Sequence, residues 1–283
     1  MRLGTISTDS GFRAVLVGSD SAEVLGHRDA REVMERLAEG AALDSLVREG
    51  EVALEGLTFA PPVLSPEKIF CVGLNYRAHA AEAQMDVTPT PVLFSKYTRA
   101  MIGASDDILL PPESTKCDWE AELAIVIGTR ARRVTGADAK AAIGGYTVLN
   151  DITMRDWQKQ TSQMLPGKTF EQTTPMGPWI VAPGDVDDAR DLMLRCTVNG
   201  VVMQEASTSD MIFSAVDVVS YLSSIITLVP GDVIALGTPS GIGARRTPPI
   251  FLQPGDRVVT ECEGIGTLEN LCVVDDSRPA KYA

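Results

Sequence analysis

Three carboxylates stand at alternate positions in Asp118-Trp119-Glu120-Ala121-Glu122, and the apolar run Leu123-Ala124-Ile125-Val126-Ile127 follows directly. The run is rich in β-branched residues and stops at Gly128, which predicts a buried strand. Alternate residues of a strand share a face, so the three acids would gather at one end of it. Carboxylates clustered at the entrance to a core repel one another and are costly to desolvate, and a bound cation relieves both effects. With no His or Cys in the group, a hard divalent ion, Mg²⁺ or Mn²⁺, suits it better than Zn²⁺. The competing reading is an exposed acidic strand end paired with Lys or Arg.

Other residues could add to such a centre. Asp151, Arg155 and Gln158 fall on one face if residues 151–158 turn helically. Asp151 would then be a further ligand and Arg155 a planar fork for a substrate carboxylate, against the alternative of a surface Asp–Arg pair. His79 and Glu82 are helix neighbours at i and i+3, and a carboxylate beside an imidazole fixes its tautomer and makes it a base for water. The chain has only two histidines; the other, His27, sits in Leu25-Gly26-His27-Arg28 without such support. Lys168 lies in the tight Pro166-Gly167-Lys168 loop, which could present an ammonium or simply leave it solvated. The stretch Gly237-Thr238-Pro239-Ser240-Gly241 is no Walker loop, but its N–H groups and the Thr238 hydroxyl could meet an anion. Neither Ser240 nor Cys71 has the surroundings of a nucleophile.

These residues must be held by a full-sized core, and 283 residues with 45% hydrophobic content supply one. Residues 1–60 read as a small α+β domain, with a strand at Ala14-Val15-Leu16-Val17 and a helical stripe of Val33, Met34, Leu37 and Ala38. The Pro-rich segment 60–66 reads as a linker, and residues 67–283 as the main domain. There, residues 192–198, Asn199-Gly200 and Val201-Val202-Met203 make a hairpin with a type I′ turn. Two similar turn-then-strand units begin at Leu228 and Leu252, and Ile212, Val216, Val219 and Ile226 mark an amphipathic helix. Strands and helices do not alternate, so the pattern favours a β-rich roll or sandwich over a Rossmann or barrel fold. The tail 275–283 reads as loose.

A formal net charge of −13 without a dense basic stripe argues against nucleic acid or anionic membrane as partners. No apolar run approaches the ~20 residues of a membrane helix. The amino terminus lacks an apolar signal region, and the five cysteines are scattered and odd in number. They read as reduced thiols, which leads to the expectation of a cytoplasmic protein.

Taken in order, Lys68-Ile69-Phe70-Cys71-Val72-Gly73-Leu74-Asn75-Tyr76 with His79 and Glu82, Asp118 to Leu123, Gly145-Tyr146-Thr147, Asn150 to Thr153 with Arg155-Asp156, Gly167-Lys168-Thr169-Phe170, Pro175-Met176-Gly177-Pro178-Trp179, Val198-Asn199-Gly200, Leu228 to Asp232 and Gly237-Thr238-Pro239 form an ordered series. The series resembles the fumarylacetoacetate hydrolase family over roughly residues 67–270. Trp119, where Tyr is frequent, and Glu171, where Asp is frequent, depart from its pattern.

The resemblance implies an α+β, β-rich fold, a mixed β-sandwich roll with a small amino-terminal domain, forming homodimers. It implies Mg²⁺ or Mn²⁺ held by Glu120, Glu122 and Asp151, with Asp118 a near neighbour. His79, oriented by Glu82, would activate water; Lys168 would stabilise an enolate; Arg155, Gln158 and Thr238 would hold the 2-oxo acid end of a small-molecule substrate. The expected reaction is hydrolysis of a C–C bond in a 2,4-dioxo acid through a metal-bound enolate. Decarboxylation of oxaloacetate or isomerisation of an unsaturated dioxo acid on the same site are the alternatives. A metal-stabilised binding protein without activity is disfavoured by the His79–Glu82 pair.

Overall fold

The computed structural model describes residues 1–276; of the tail read as loose, 277–283 lie outside the described residues. Among these, twelve strands form one large sheet and five form a second.

The large sheet runs, in order, through Arg48–Ala53, Ser21–Leu25, Gly11–Val17, Arg2–Thr8, Thr174–Val181, Ile143–Asn150, Ala121–Ile127, Val233–Ala235, Ile69–Gly73 and Val92–Ser95. The second sheet contains Val201–Ser207, Met193–Val198, Arg257–Cys262, Gly266–Val274 and Ile108–Leu110. The main core lies between the sheets, joining Leu123, Ile125, Tyr146 and Val148 to Leu194, Val198, Val258 and Leu268.

The acid-led run is the strand Ala121–Ile127, buried at every residue. Its period of two divides it between two cores. Leu123, Ile125 and Ile127 face the second sheet, while Ala124 and Val126 pack against Leu3, Val33 and Met34 of the amino-terminal unit. A strand covered on both faces reads as a continuous apolar run rather than an alternating one.

The amino-terminal unit adds its strands edge-on, with Arg2–Thr8 antiparallel to Thr174–Val181. Its helix Ala30–Ala38 is capped by Asp29, whose Oδ1 accepts from Glu32 N at 3.1 Å. Segment 60–66 forms no helix or strand beyond Ala60, but it is packed, not slack. Thr5 Oγ1 donates to Pro62 O at 2.7 Å, and Val63 is fully buried.

The hairpin turn has positive φ at both Asn199 (51°) and Gly200 (78°), as a type I′ turn demands. The amphipathic helix spans Ala215–Ile225, started by a Ser214/Asp217 capping box. Its buried face is Ala215, Val218, Val219 and Leu222, so Ile212 and Ile226 fall outside the helix and only Val219 of the expected stripe is fully buried.

Candidate active site

The antiparallel ladder between Ala121–Ile127 and Ile143–Asn150 pairs Ala121 with Asn150. One residue further, Asp151 N donates to Glu120 O at 2.8 Å, so Asp151 stands across from Glu120. Glu122 follows on the next strand position. One carboxylate oxygen of each of Glu120, Glu122 and Asp151 lies within 4.8 Å of the others, and all three residues are buried.

Asp118 does not join them. The chain leaves strand geometry at Trp119 and Glu120, so alternation is not carried across from Cys117–Asp118 to Ala121–Ile127. Asp118 instead accepts from Arg155 Nε (2.7 Å), Gly243 N (2.7 Å) and Ala244 N (3.0 Å).

The helical reading of 151–158 is likewise corrected. Asp151 sits between strands, Thr153–Met154 pairs with Cys117–Asp118, and only Arg155–Gln158 is helical. Arg155 and Gln158 still meet, Nη1 donating to Oε1 at 3.1 Å. Arg155 Nη2 lies 2.6 Å from Glu120 Oε1. Two of its nitrogens are thus held by protein carboxylates, and the edge it offers a ligand is the Nη1 side shared with Gln158.

Lys168 is buried, with Nζ 2.5 Å from both Glu120 Oε2 and Asp151 Oδ2, and lies over the Phe94 ring at 4.8 Å. Glu171 turns away from it, paired with Arg99 at 2.6 and 2.9 Å on the surface, so that departure leaves Lys168 untouched. Trp119 is buried and donates to Gly241 O at 3.2 Å, bracing the 237–243 loop.

The parallel pairing of Ile69–Gly73 with Val233–Ala235 brings the segments after both strands to the same end of the sheet. Asn75 bridges them, its Nδ2 donating to Leu236 O at 2.7 Å. Gly237 has φ +91°, and a Cβ there would fall 2.8 Å from Asn75 Cβ, so only glycine lets the two segments close. Its N–H donates to Glu122 Oε2 at 2.7 Å.

Helix Arg77–Ala83 then presents His79, whose Nδ1 is 2.9 Å from Glu82 Oε2; Glu82 Oε1 accepts from Gly241 N at 2.9 Å. The carboxylate therefore ties both the imidazole and the glycine-rich loop, leaving Nε2 as the ring nitrogen available to a ligand.

Two contributors carried no signal in the sequence. Lys96 is buried and donates from Nζ to Asp151 Oδ1 at 2.7 Å. Gln204 donates to Thr238 Oγ1 (2.8 Å) and accepts from Ala121 N (2.9 Å), fixing the threonine against the strand. Each stands in a segment that reads locally as an ordinary strand end or hairpin arm.

The charges decide what the cluster can hold. Burial works to raise the Glu120 pKa, but Lys168 and Arg155 outweigh it and hold the carboxyl well below the usual range. Burial, then Asp151 and Glu120, push Glu122 well above that range. Among the described residues no cationic side chain pairs with Glu122. An all-carboxylate donor set with one unpaired acid fits a hard divalent cation. Lys168 stays charged, since Asp151 and Glu120 overcome the effect of its burial and raise its pKa. Cys71 is fully buried and its thiol is pushed well up by burial, which removes it as a nucleophile.

His79, Glu120, Glu122, Arg155, Gln158, Lys168 and Thr238 line one cleft of about 260 Å³. Leu74, Met85, Val92, Phe94, Met164 and Ile242 supply apolar wall, and Lys159 and Arg245 also line it. Met85 and Thr88, after helix Arg77–Ala83, also line the cleft, whereas no residue of 1–60 does.

A family model described as the carboxy-terminal domain of fumarylacetoacetate (FAA) hydrolase matches residues 68–274. The chain is 41% identical over 251 residues, 86% of its length and 80% of the relative's, to a protein of Bos taurus named oxaloacetate tautomerase, mitochondrial. Among solved structures, fumarylacetoacetate hydrolase from Exiguobacterium antarcticum superposes with a TM-score of 0.85 at 32% identity, covering 97% of this chain and 100% of that one. The 5-carboxymethyl-2-hydroxymuconate delta-isomerase of Mycobacterium smegmatis gives 0.81 at 34%, with 97% and 100% covered.

The cytoplasmic expectation is overturned by the mitochondrial names of such relatives. Its basis was too narrow: five buried free thiols report a reducing history and not an organelle, and organelle transit segments have no apolar region to look for.

Proposed function

Since the chain belongs to the fumarylacetoacetate hydrolase family, we propose that it is an enzyme of 2-oxo acid enolate chemistry, interconverting the keto and enol forms of an oxaloacetate-type acid. The observation that carries this reading is that His79, held by Glu82 at 2.9 Å, lines the same cleft as Glu120, Glu122 and Lys168, with a carboxylate oxygen of Asp151 within 4.8 Å of those of the two glutamates. The substrate's 2-oxo acid end meets the Arg155–Gln158 edge and Thr238. A divalent ion on Glu120, Glu122 and Asp151, Mg²⁺ or Mn²⁺, supplies Lewis-acid polarisation of the 2-oxo group when bound.

His79, through Nε2, takes the proton from the carbon beside the oxo group, and Glu82 stabilises the imidazolium that forms. Lys168, held charged by its acidic neighbours, stabilises the enolate oxygen electrostatically and does not serve as the proton donor. His79 then returns the proton to carbon, restoring the keto form, or delivers it to the enolate oxygen, giving the enol; the reverse sequence ketonises the enol. The name borne by the Bos taurus relative supports this choice.

Hydrolysis of a C–C bond in 2,4-dioxo acids is the second reading, favoured because the same dyad can deprotonate water and the Exiguobacterium structure bears a hydrolase name. Decarboxylation of oxaloacetate would share the enolate. The deciding assay measures, on one metal-loaded preparation, ketonisation of enol-oxaloacetate, CO₂ release, and cleavage of acylpyruvates. Ketonisation is expected to be fastest; faster acylpyruvate cleavage would put the hydrolase in its place. We also infer a homodimer, and residues 1–60 as a separate unit covering the back of the active-site strand. Light scattering should return twice the chain mass.

A further inference from the structure

We propose that Asp210 is a positioning residue for His79. It caps, from 132 residues further along the chain than Ala78, the short helix that carries the imidazole. The proposal rests on the reading of His79 as the base and adds what holds that base in place.

Helix Arg77–Ala83 begins without a cap of its own. The residue at its start is Tyr76, whose side chain makes no capping hydrogen bond, and its first turn holds no acid. Tyr76 is fully buried in the main core, so its side chain is spent on packing. The first N–H groups of a helix have no partner within it. Asp210 meets one of them, its Oδ2 accepting from Ala78 N at 3.0 Å. Ala78 is the second helical residue, and this is the bond that an aspartate at the start of a helix makes for itself. The carboxylate also stands at the positive end of the peptide dipoles. Ala78 directly precedes His79, so the bond fixes the turn from which the imidazole projects.

Asp210 is itself held in place. It ends the short turn Thr208–Asp210, between strand Val201–Ser207 and helix Ala215–Ile225. Ser207 Oγ accepts from Ser209 N at 2.9 Å, and buried Thr208 donates from Oγ1 to Ala189 O at 2.8 Å. The helix grips this segment in return. Arg77 Nη1 donates to Asp210 O at 3.0 Å and to Met211 O at 2.9 Å. Just before the helix, Asn75 O accepts from Ile212 N at 2.7 Å, and the Asn75 amide exchanges two bonds with Phe213, Oδ1 accepting from N at 2.8 Å and Nδ2 donating to O at 3.0 Å. The last turn is tied elsewhere, by Glu82 to Gly241 N. The two ends of the helix are thus anchored to different segments. Loss of the Asp210 carboxylate loosens the first turn and leaves the acid cluster and the Glu82 contact in place.

The test compares Asp210→Ala, which removes the acceptor, with Asp210→Asn, which keeps one. Hydrogen exchange over residues 77–83 of the intact Mn²⁺-loaded protein should be about tenfold faster in Asp210→Ala and close to wild type in Asp210→Asn. Ketonisation of enol-oxaloacetate by Asp210→Ala should lose about tenfold in kcat while KM and Mn²⁺ affinity stay within about twofold, because a displaced base costs rate and not binding. Asp210→Asn should recover most of that kcat. Unchanged exchange in Asp210→Ala overturns the cap. Faster exchange with unaltered kcat, or a loss carried equally by KM and Mn²⁺ affinity, overturns the positioning role. A wild type that does not ketonise removes the tautomerase and not the cap, because exchange reads the helix without turnover. The kcat comparison then moves to acylpyruvate cleavage, which would use the same imidazole.

Discussion

Replacing Lys168 by methionine should unfold the metal-free protein more easily and yet tighten its hold on a divalent ion. The buried cluster sets four carboxylates, Asp118, Glu120, Glu122 and Asp151, against three cations, Lys96, Arg155 and Lys168. The raised pKa of Glu122 lets one proton balance the remaining charge. Lys168→Met removes a cation 2.5 Å from two of the acids and puts an uncharged chain of similar length in its place. Breaking a buried pair in this way costs about 3–5 kcal/mol, because the partner charges stay behind. At roughly 2 °C per kcal/mol for a chain of this size, the melting temperature in chelator should fall by roughly 6–10 °C. A divalent ion can restore the lost charge, so Mn²⁺ should bind the variant at least about tenfold more tightly, a gain of about 1.4 kcal/mol. Mn²⁺ should also recover most of the melting temperature, while turnover stays low for want of the enolate's counter-charge. Scanning calorimetry with and without chelator, with a Mn²⁺ titration, reads all of this. A metal-free variant that melts within about 2 °C of wild type, or one that binds Mn²⁺ more weakly, would refute the counter-ion argument.

Other expectations follow from the same geometry. His79→Ala should lower kcat roughly 10²–10⁴-fold, the usual worth of a general base, with Glu82→Gln costing less because it keeps a hydrogen-bond acceptor; equal activity in His79→Ala removes the imidazole from the chemistry. Glu122 must lose its proton to become a ligand, and its pKa is raised in the metal-free protein. Mn²⁺ binding should therefore release protons and weaken as pH falls, which calorimetry in buffers of different ionisation enthalpy will detect; proton-neutral binding would contradict it. Gly167→Ala would put a Cβ 2.5 Å from Gln158 N and 2.6 Å from Met154 O. It should cost about 1–3 kcal/mol by overpacking and reduce activity by displacing Lys168 and Gln158 together, seen as a lower melting temperature and a lower kcat/KM.

Much of this protein is legible locally. The acid spacing at Glu120 and Glu122, the apolar run of Ala121–Ile127, the His79–Glu82 neighbours on a helix and the Asn199-Gly200 turn each depend on residues a few positions apart. Backbone geometry within one element fixes their relation before any tertiary contact forms. The ordered series of motifs likewise carried the family.

What only the tertiary structure decided lies between elements. Asp151 reaches Glu120 because an antiparallel register sets 121 opposite 150, not because 151–158 is a helix. Asp118 left the acid cluster because the chain departs from strand geometry at Trp119 and Glu120, which breaks the alternation that the spacing assumed. It became the anchor for Arg155 and the 243–244 turn instead. Lys96 follows an ordinary apolar strand, and nothing near it in the chain says that its ammonium is buried against Asp151, 55 residues away. Periodicity records which face a residue takes within its own element. Which charge it meets there depends on register, strand order and burial, and these are set by the rest of the chain.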